Sequence, residues 1–159
     1  METLINVGVA KLEISSRPSL LRTILGSCIG ICIYDRKKKI GGLAHILLPE
    51  KKDASQLEKY ADSAIPLLFT KLQKKGCTKE NMTAKIAGGA SMFKFKSKVS
   101  LGKIGENNIK KTKEILEEIG VPLVAEDVGG NQGRVVNFFL EDGRVKIKAG
   151  GKEKVYYKI

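Results

Sequence analysis

No apolar run in this sequence approaches the ~20 residues that cross a bilayer as a helix. A membrane-spanning helix is therefore not expected. Met1-Glu2-Thr3-Leu4 carries an acid and lacks a basic n-region, so it does not read as a secretory signal. Cysteine is scarce, with three in the chain. An odd number cannot pair off completely, and without an export signal the thiols are expected reduced, in the cytoplasm. Histidine is scarcer still: His45 stands alone. Acids are too few to balance the bases, 17 against 29, which leaves a formal charge of +12. That imbalance favours acidic partners (nucleic acid, anionic lipid or acidic protein) without choosing among them. It fits a solvated lysine-rich surface equally well. Repeats, low-complexity tracts and linkers are also missing, so one domain over 1–159 is expected.

What is present reads mainly as short strands. Leu4 to Ala10 is apolar and Val/Ile-rich. Ser15 to Ser19 is loop-like by composition, and Leu20 to Leu25 resumes the apolar pattern. The clearest alternation begins after the Gly26-Ser27 corner. Ile29, Ile31 and Ile33 point one way; Cys28, Gly30, Cys32 and Tyr34 point the other. After the polar Asp35–Lys38 stretch, Ile40 to Leu48 reads as a partner strand stopped by Pro49. There Leu43, His45 and Leu47 share a face. A helix is expected from Glu58 to Lys74, in which Pro66 implies a kink or a helix proper that begins near Ile65, and another from Gly105 to Glu118, closed by Gly120. Further strands are expected at 84–87, 122–128, 134–140, 144–148 and 154–157, with a hairpin at Asp142-Gly143. The fold class is α+β: mixed β-sheets in a layered sandwich flanked by helices.

The sharpest chemical constellation is Cys28 with His45. If the two strands form a hairpin, a two-residue turn sets Cys28 opposite His45, and a four-residue turn sets it one step diagonal. Either register places both side chains on one face, about 4.5–8 Å apart at the backbone. A bulge at Gly41-Gly42 would separate them. An imidazolium beside a thiol favours the nucleophilic thiolate, and the same ring can protonate a leaving amine. At the corner, the backbone amides of Ser27 and Cys28 are free of obligatory sheet partners and could face a developing oxyanion. The alternative is that Cys28 and Cys32 fill a core and His45 is an ordinary polar residue. A metal site from Cys28, Cys32, Cys77 and His45 fits poorly, because strand residues four apart do not converge like a Cys-x-x-Cys knuckle.

Two Gly-rich turns, Gly88-Gly89 and Gly129-Gly130, follow strands. Neither matches a Walker loop or a dinucleotide fingerprint. They point instead to close backbone approach. Lysines crowd 94–113 against one acid, Glu106, beside Phe93 and Phe95. That is the composition of a single-strand nucleic-acid surface, of a face for an acidic protein, or of a plain solvated helix.

Several segments together resemble the chemoreceptor glutamine deamidase family, CheD. They are Leu25–Gly30, Gly42–Pro49, Lys59–Asp62, Ala84–Phe93, Ile104–Asn108 and Ala125–Asn131, in order from about Val7 to Lys148. The resemblance implies a cytoplasmic cysteine hydrolase that converts glutamine side chains of chemotaxis receptors to glutamate with loss of ammonia. It implies Cys28 as nucleophile, His45 as acid and base, and Thr23 as the third site residue, with neither metal nor organic cofactor. The implied partners are receptor cytoplasmic domains and the CheC phosphatase, with no nucleic acid and no membrane insertion. A non-catalytic basic adaptor, binding CheC, receptors or nucleic acid, is the competing reading.

Overall fold

Alternating β-branched residues set the centre of the molecule. The computed structural model describes residues 2–91 and 103–158. In it, β4 (Ile29–Asp35) and β5 (Ile40–Ile46) form an antiparallel hairpin with Ile29 opposite Ile46 and Asp35 opposite Ile40. The turn is the four-residue one. Asp35 holds it: one carboxylate oxygen accepts from the Lys37 and Lys38 amides, the other from Thr78 N–H. No bulge interrupts the ladder at Gly41-Gly42. Gly42 is glycine because a side chain there would run into Leu68.

The hairpin is the middle of a five-stranded sheet ordered β2 (Lys11–Ser16), β5, β4, β6 (Met82–Gly88), β7 (Leu123–Val128). A second five-stranded sheet runs β1 (Leu4–Asn6), β3 (Leu20–Leu25), β8 (Arg134–Phe139), β9 (Val145–Ala149), β10 (Lys152–Tyr156). The β1–β3 and β6–β7 pairs are parallel; the others are antiparallel. Both sheets are mixed, and the fold class is α+β as expected.

Side-chain alternation then builds two cores. Ile29, Ile31, Ile33, Ala44 and Ile46 point away from the second sheet. They meet α1 (Ala61–Lys74) through Ala64, Ile65, Leu68 and Leu72, and α2 (Ile104–Ile119) through Ile115 and Leu116. Cys28, Cys32, Tyr34 and Leu43 point the other way and meet Leu21, Leu25, Val136, Phe138 and Ile147 of the second sheet. The order of layers is helices, sheet, sheet. The helices thus flank the sandwich on one side, covering the first sheet. Between the sheets, Tyr34 donates to Leu140 C=O at 2.9 Å and meets Phe138 edge-on. Lys85 is buried there too. Its ammonium donates to Gly143 and Tyr156 carbonyls at 2.8 and 3.1 Å, and burial pulls its pKa down to about 8.

Some local expectations differ from what is seen. Residues 15–16 are not loop: they end β2, an edge strand paired along β5 whose Leu12 and Ile14 pack on the helix-side core. Ladder pairing overrides the turn preference of two serines. The helix expected from Glu58 begins at Ala61, after a separate 3-10 turn at Leu57–Lys59. It runs through Pro66, since an apolar face continues for two turns beyond the one hydrogen bond that proline removes. The Phe93–Lys98 part of the basic stretch lies outside the described residues.

Candidate active site

Gly30 is the cross-strand partner of His45, so Cys28, two residues earlier, lies one step diagonal on the same face. That face looks into the space between the sheets. Thr23 comes from the opposite sheet, on β3, and is buried. Its hydroxyl oxygen is 2.7 Å from His45 Nδ1 and 2.7 Å from Val7 C=O.

These two contacts fix the tautomer. A hydroxyl has one proton to give, and a carbonyl can only accept. Thr23 therefore donates to Val7 and accepts from His45 Nδ1–H. In the neutral ring the lone pair then sits on Nε2. Nε2 is buried and has no hydrogen-bond partner among the described residues. It lies on the strand face that also carries the Cys28 thiol but makes no hydrogen bond to it.

Burial sets the charge states. It pushes the Cys28 thiol above its ordinary 9.0, and the residue's own amide N–H pulls it partly back. It pulls the His45 ring below the usual 6.5, with a smaller opposing contribution from the Val7 carbonyl. Both shifts favour uncharged forms.

The Cys28 corner is held carbonyl by carbonyl. Gly26 C=O accepts from Ala90 N–H at 3.0 Å, and Cys28 C=O from Gly89 N–H at 2.9 Å. Ser27 C=O accepts from the Asn108 side chain at 3.1 Å. Among the described residues nothing in the backbone accepts from the Ser27 or Cys28 N–H. The two Gly-rich turns serve this corner. Gly88 C=O accepts from Gly129 N–H, and Arg134, paired with Asp127 at 2.9 Å, reaches the Gly88 and Gly129 carbonyls. A cleft of about 260 Å³ opens beside the histidine, lined by Asn6, Val9, Arg22, Thr23, Ile24 and His45 among others.

Residues 47–149 match the family model described as CheD chemotactic sensory transduction. The probable chemoreceptor glutamine deamidase CheD of Clostridium novyi (strain NT) is 49% identical over 151 residues, covering 92% of this chain and 93% of that protein. This chain belongs to the CheD family. A second CheD relative, from Clostridium botulinum (strain Eklund 17B / Type B), is 49% identical over 153 residues and covers 94% of each. The Clostridium kluyveri CheD is 48% identical over 151 residues, 92% of this chain and 93% of its own. Among solved structures, the Bacillus licheniformis hypothetical protein YfiH aligns with a TM-score of 0.48 at 14% identity. It covers 73% of this chain and 49% of its own.

The other two cysteines of this CheD-family chain lie apart from such chemistry. Cys32 is inside the sheet–sheet core with its pKa pushed up to about 12, and Cys77 is buried with its own at about 11. Among the described residues no cluster of His, Cys, Asp and Glu could hold a metal. Asn108 received no role from the sequence. Its signal was an amide one turn before Thr112 on an otherwise apolar helix stripe.

Alkylation should discriminate the three thiols. Iodoacetamide is expected to label Cys28 first, with a rate that rises about tenfold per pH unit up to and past pH 9, since only thiolate reacts. Peptide mapping after a short pulse checks this. Equal labelling of Cys28 and Cys77 would contradict the assignment.

Proposed function

We propose that residues 1–159 act as one protein-glutamine deamidase domain on the cytoplasmic parts of chemoreceptors, with Cys28, His45 and Thr23 as its catalytic residues. The observation that carries the site is the relay Val7 C=O, Thr23 hydroxyl, His45 Nδ1–H, which leaves Nε2 basic on the face of the cysteine. The family membership supplies the substrate: curated relatives are named chemoreceptor glutamine deamidases.

In the proposed reaction, His45 Nε2 takes the Cys28 proton as the sulfur bonds to the glutamine carboxamide carbon. The oxyanion is met by the backbone N–H groups of Ser27 and Cys28. The imidazolium gives its proton to the nitrogen, the C–N bond breaks, and ammonia leaves a thioester. Water then attacks the thioester, losing a proton to Nε2. The C–S bond breaks, that proton returns to sulfur, and glutamate is released. All the chemistry comes from side chains and backbone. Acidic stretches of receptors, and a CheC-type phosphatase, suit the +12 charge as partners. Among the described residues no helix is long and apolar enough to cross a membrane, and a cytoplasmic site of action is part of the proposal. The direct test is to incubate a receptor cytoplasmic fragment with the protein and map amide-to-acid conversion by peptide mass spectrometry. A fragment that keeps every glutamine would refute the assignment.

The pH profile adds a second check. A protonated His45 cannot accept the thiol proton, and burial lowers its pKa. The acid limb of kcat/KM should therefore have its midpoint below pH 6.5. Thr23→Val removes the acceptor for Nδ1–H, frees the wrong tautomer and should lower kcat by at least roughly tenfold. An acid limb above 6.5, or an unaffected Thr23→Val enzyme, would count against the tautomer assignment.

A further inference from the structure

The oxyanion donor is set by a peptide plane, and one side chain outside the catalytic trio controls that plane. Asn108 lies on α2, fully buried. Its Nδ2 carries two protons and donates both: to Ser27 C=O at 3.1 Å and to Leu47 C=O at 3.0 Å. Ser27 C=O and Cys28 N–H belong to the same planar peptide and point in opposite directions. Fixing the carbonyl therefore aims the N–H. A hydrogen bond at the oxygen also polarises the amide and strengthens its N–H as a donor. Leu47 follows His45 by two residues, just past the end of β5. One amide group thus ties the nucleophile's corner to the histidine's strand. Gly26 and Cys28 carbonyls on either side are bound by backbone groups; the Ser27 peptide alone depends on a side chain.

We infer that Asn108 is a positioning residue for the oxyanion hole, aiming the Cys28 N–H and setting its distance from the histidine's strand. This rests on the deamidase reading. It separates acylation, which develops charge on oxygen, from alkylation of the same thiol. Iodoacetamide reacts by displacement at a saturated carbon: the C–I bond breaks, iodide leaves, and no oxyanion forms. Alkylation needs the Cys28 thiolate but makes no demand on the hole.

The experiment measures both rates on the full chain. Asn108→Ala should lose on the order of a hundredfold in kcat for receptor-fragment deamidation, with KM within about twofold. Its Cys28 alkylation rate, and that rate's pH dependence, should stay within about twofold of wild type. Asn108→Asp keeps the shape but sets a carboxylate against two carbonyls, and should lose deamidation at least as far. Thr112→Val is the control. It lies one turn along the same buried face, its hydroxyl has no partner among the described residues, and it should leave both rates unchanged. Should Asn108→Ala fold too poorly to assay, Asn108→Ser, a smaller donor able to keep one of the two bonds, should show a partial loss confined to deamidation. The inference is overturned if the Asn108 variants deamidate like wild type, or if alkylation and deamidation fall together. A wild-type protein that alkylates at Cys28 but never deamidates would instead overturn the underlying reading of function.

Discussion

Cys28→Ala is expected to bind a receptor cytoplasmic fragment as wild type does and to convert none of its glutamines, a loss of at least roughly a thousandfold. The sulfur is the only nucleophile in the proposed site, and neither remaining thiol can replace it. Cys32 points to the same side two pairs further into the sheet, enclosed by core side chains, and Cys77 belongs to the helix-side core. His45→Ala should lose nearly as much, because no second imidazole exists in the chain. The two single variants and the double variant should fall to a similar floor, as residues acting in one step do. Mass spectrometry of the fragment with each variant reads the outcome. Conversion by Cys28→Ala at the wild-type rate would leave only the adaptor reading, in which a basic surface binds receptors without chemistry.

Gly88→Ala should be the most damaging change outside the reacting side chains. Gly88 ends β6 at a φ of 110°, where residues with a Cβ are strained. Its neighbour is the backbone of Cys28: a Cβ there would land on the Cys28 carbonyl oxygen. Backbone on both sides gives no flexible atom to yield. A loss of more than about 3 kcal/mol of stability is expected, with deamidation falling further than the unfolded fraction explains, because the strain is relieved by moving Cys28. Gly130→Ala is the comparison. Its φ is 71° but nothing lies within 4 Å of the added carbon, so it should cost about 1 kcal/mol. Thermal melts and single-turnover rates on the two variants check both statements; equal stability losses would show that crowding at Cys28 is not the cause.

Much of the hairpin was legible. Period-two alternation placed Cys28 and His45 on one face, and the two turn lengths weighed both kept them there. The turn itself was settled by Asp35, whose carboxylate caps two lysine amides and reaches Thr78 forty-three residues away, a contact no local pattern carries. Thr23 is a harder case. It belongs to the other sheet, and nothing in spacing says that β3 will stack its inner face over β5; only resemblance singled it out. Enclosure between the sheets, which pushes both the thiol and the imidazole toward their uncharged forms, is likewise carried by no local pattern. Asn108 has no role that sequence could assign, since its partners are carbonyls, which have no signature in sequence.

That enclosure has a physiological side. A sulfur that stays protonated until a carboxamide arrives is a poor target for peroxide and for small electrophiles, which react with thiolate. In the proposed reaction the buried Cys28 sulfur is thus kept quiet between turnovers, and its activation waits for the incoming carboxamide, with the proposed base held on the same strand face.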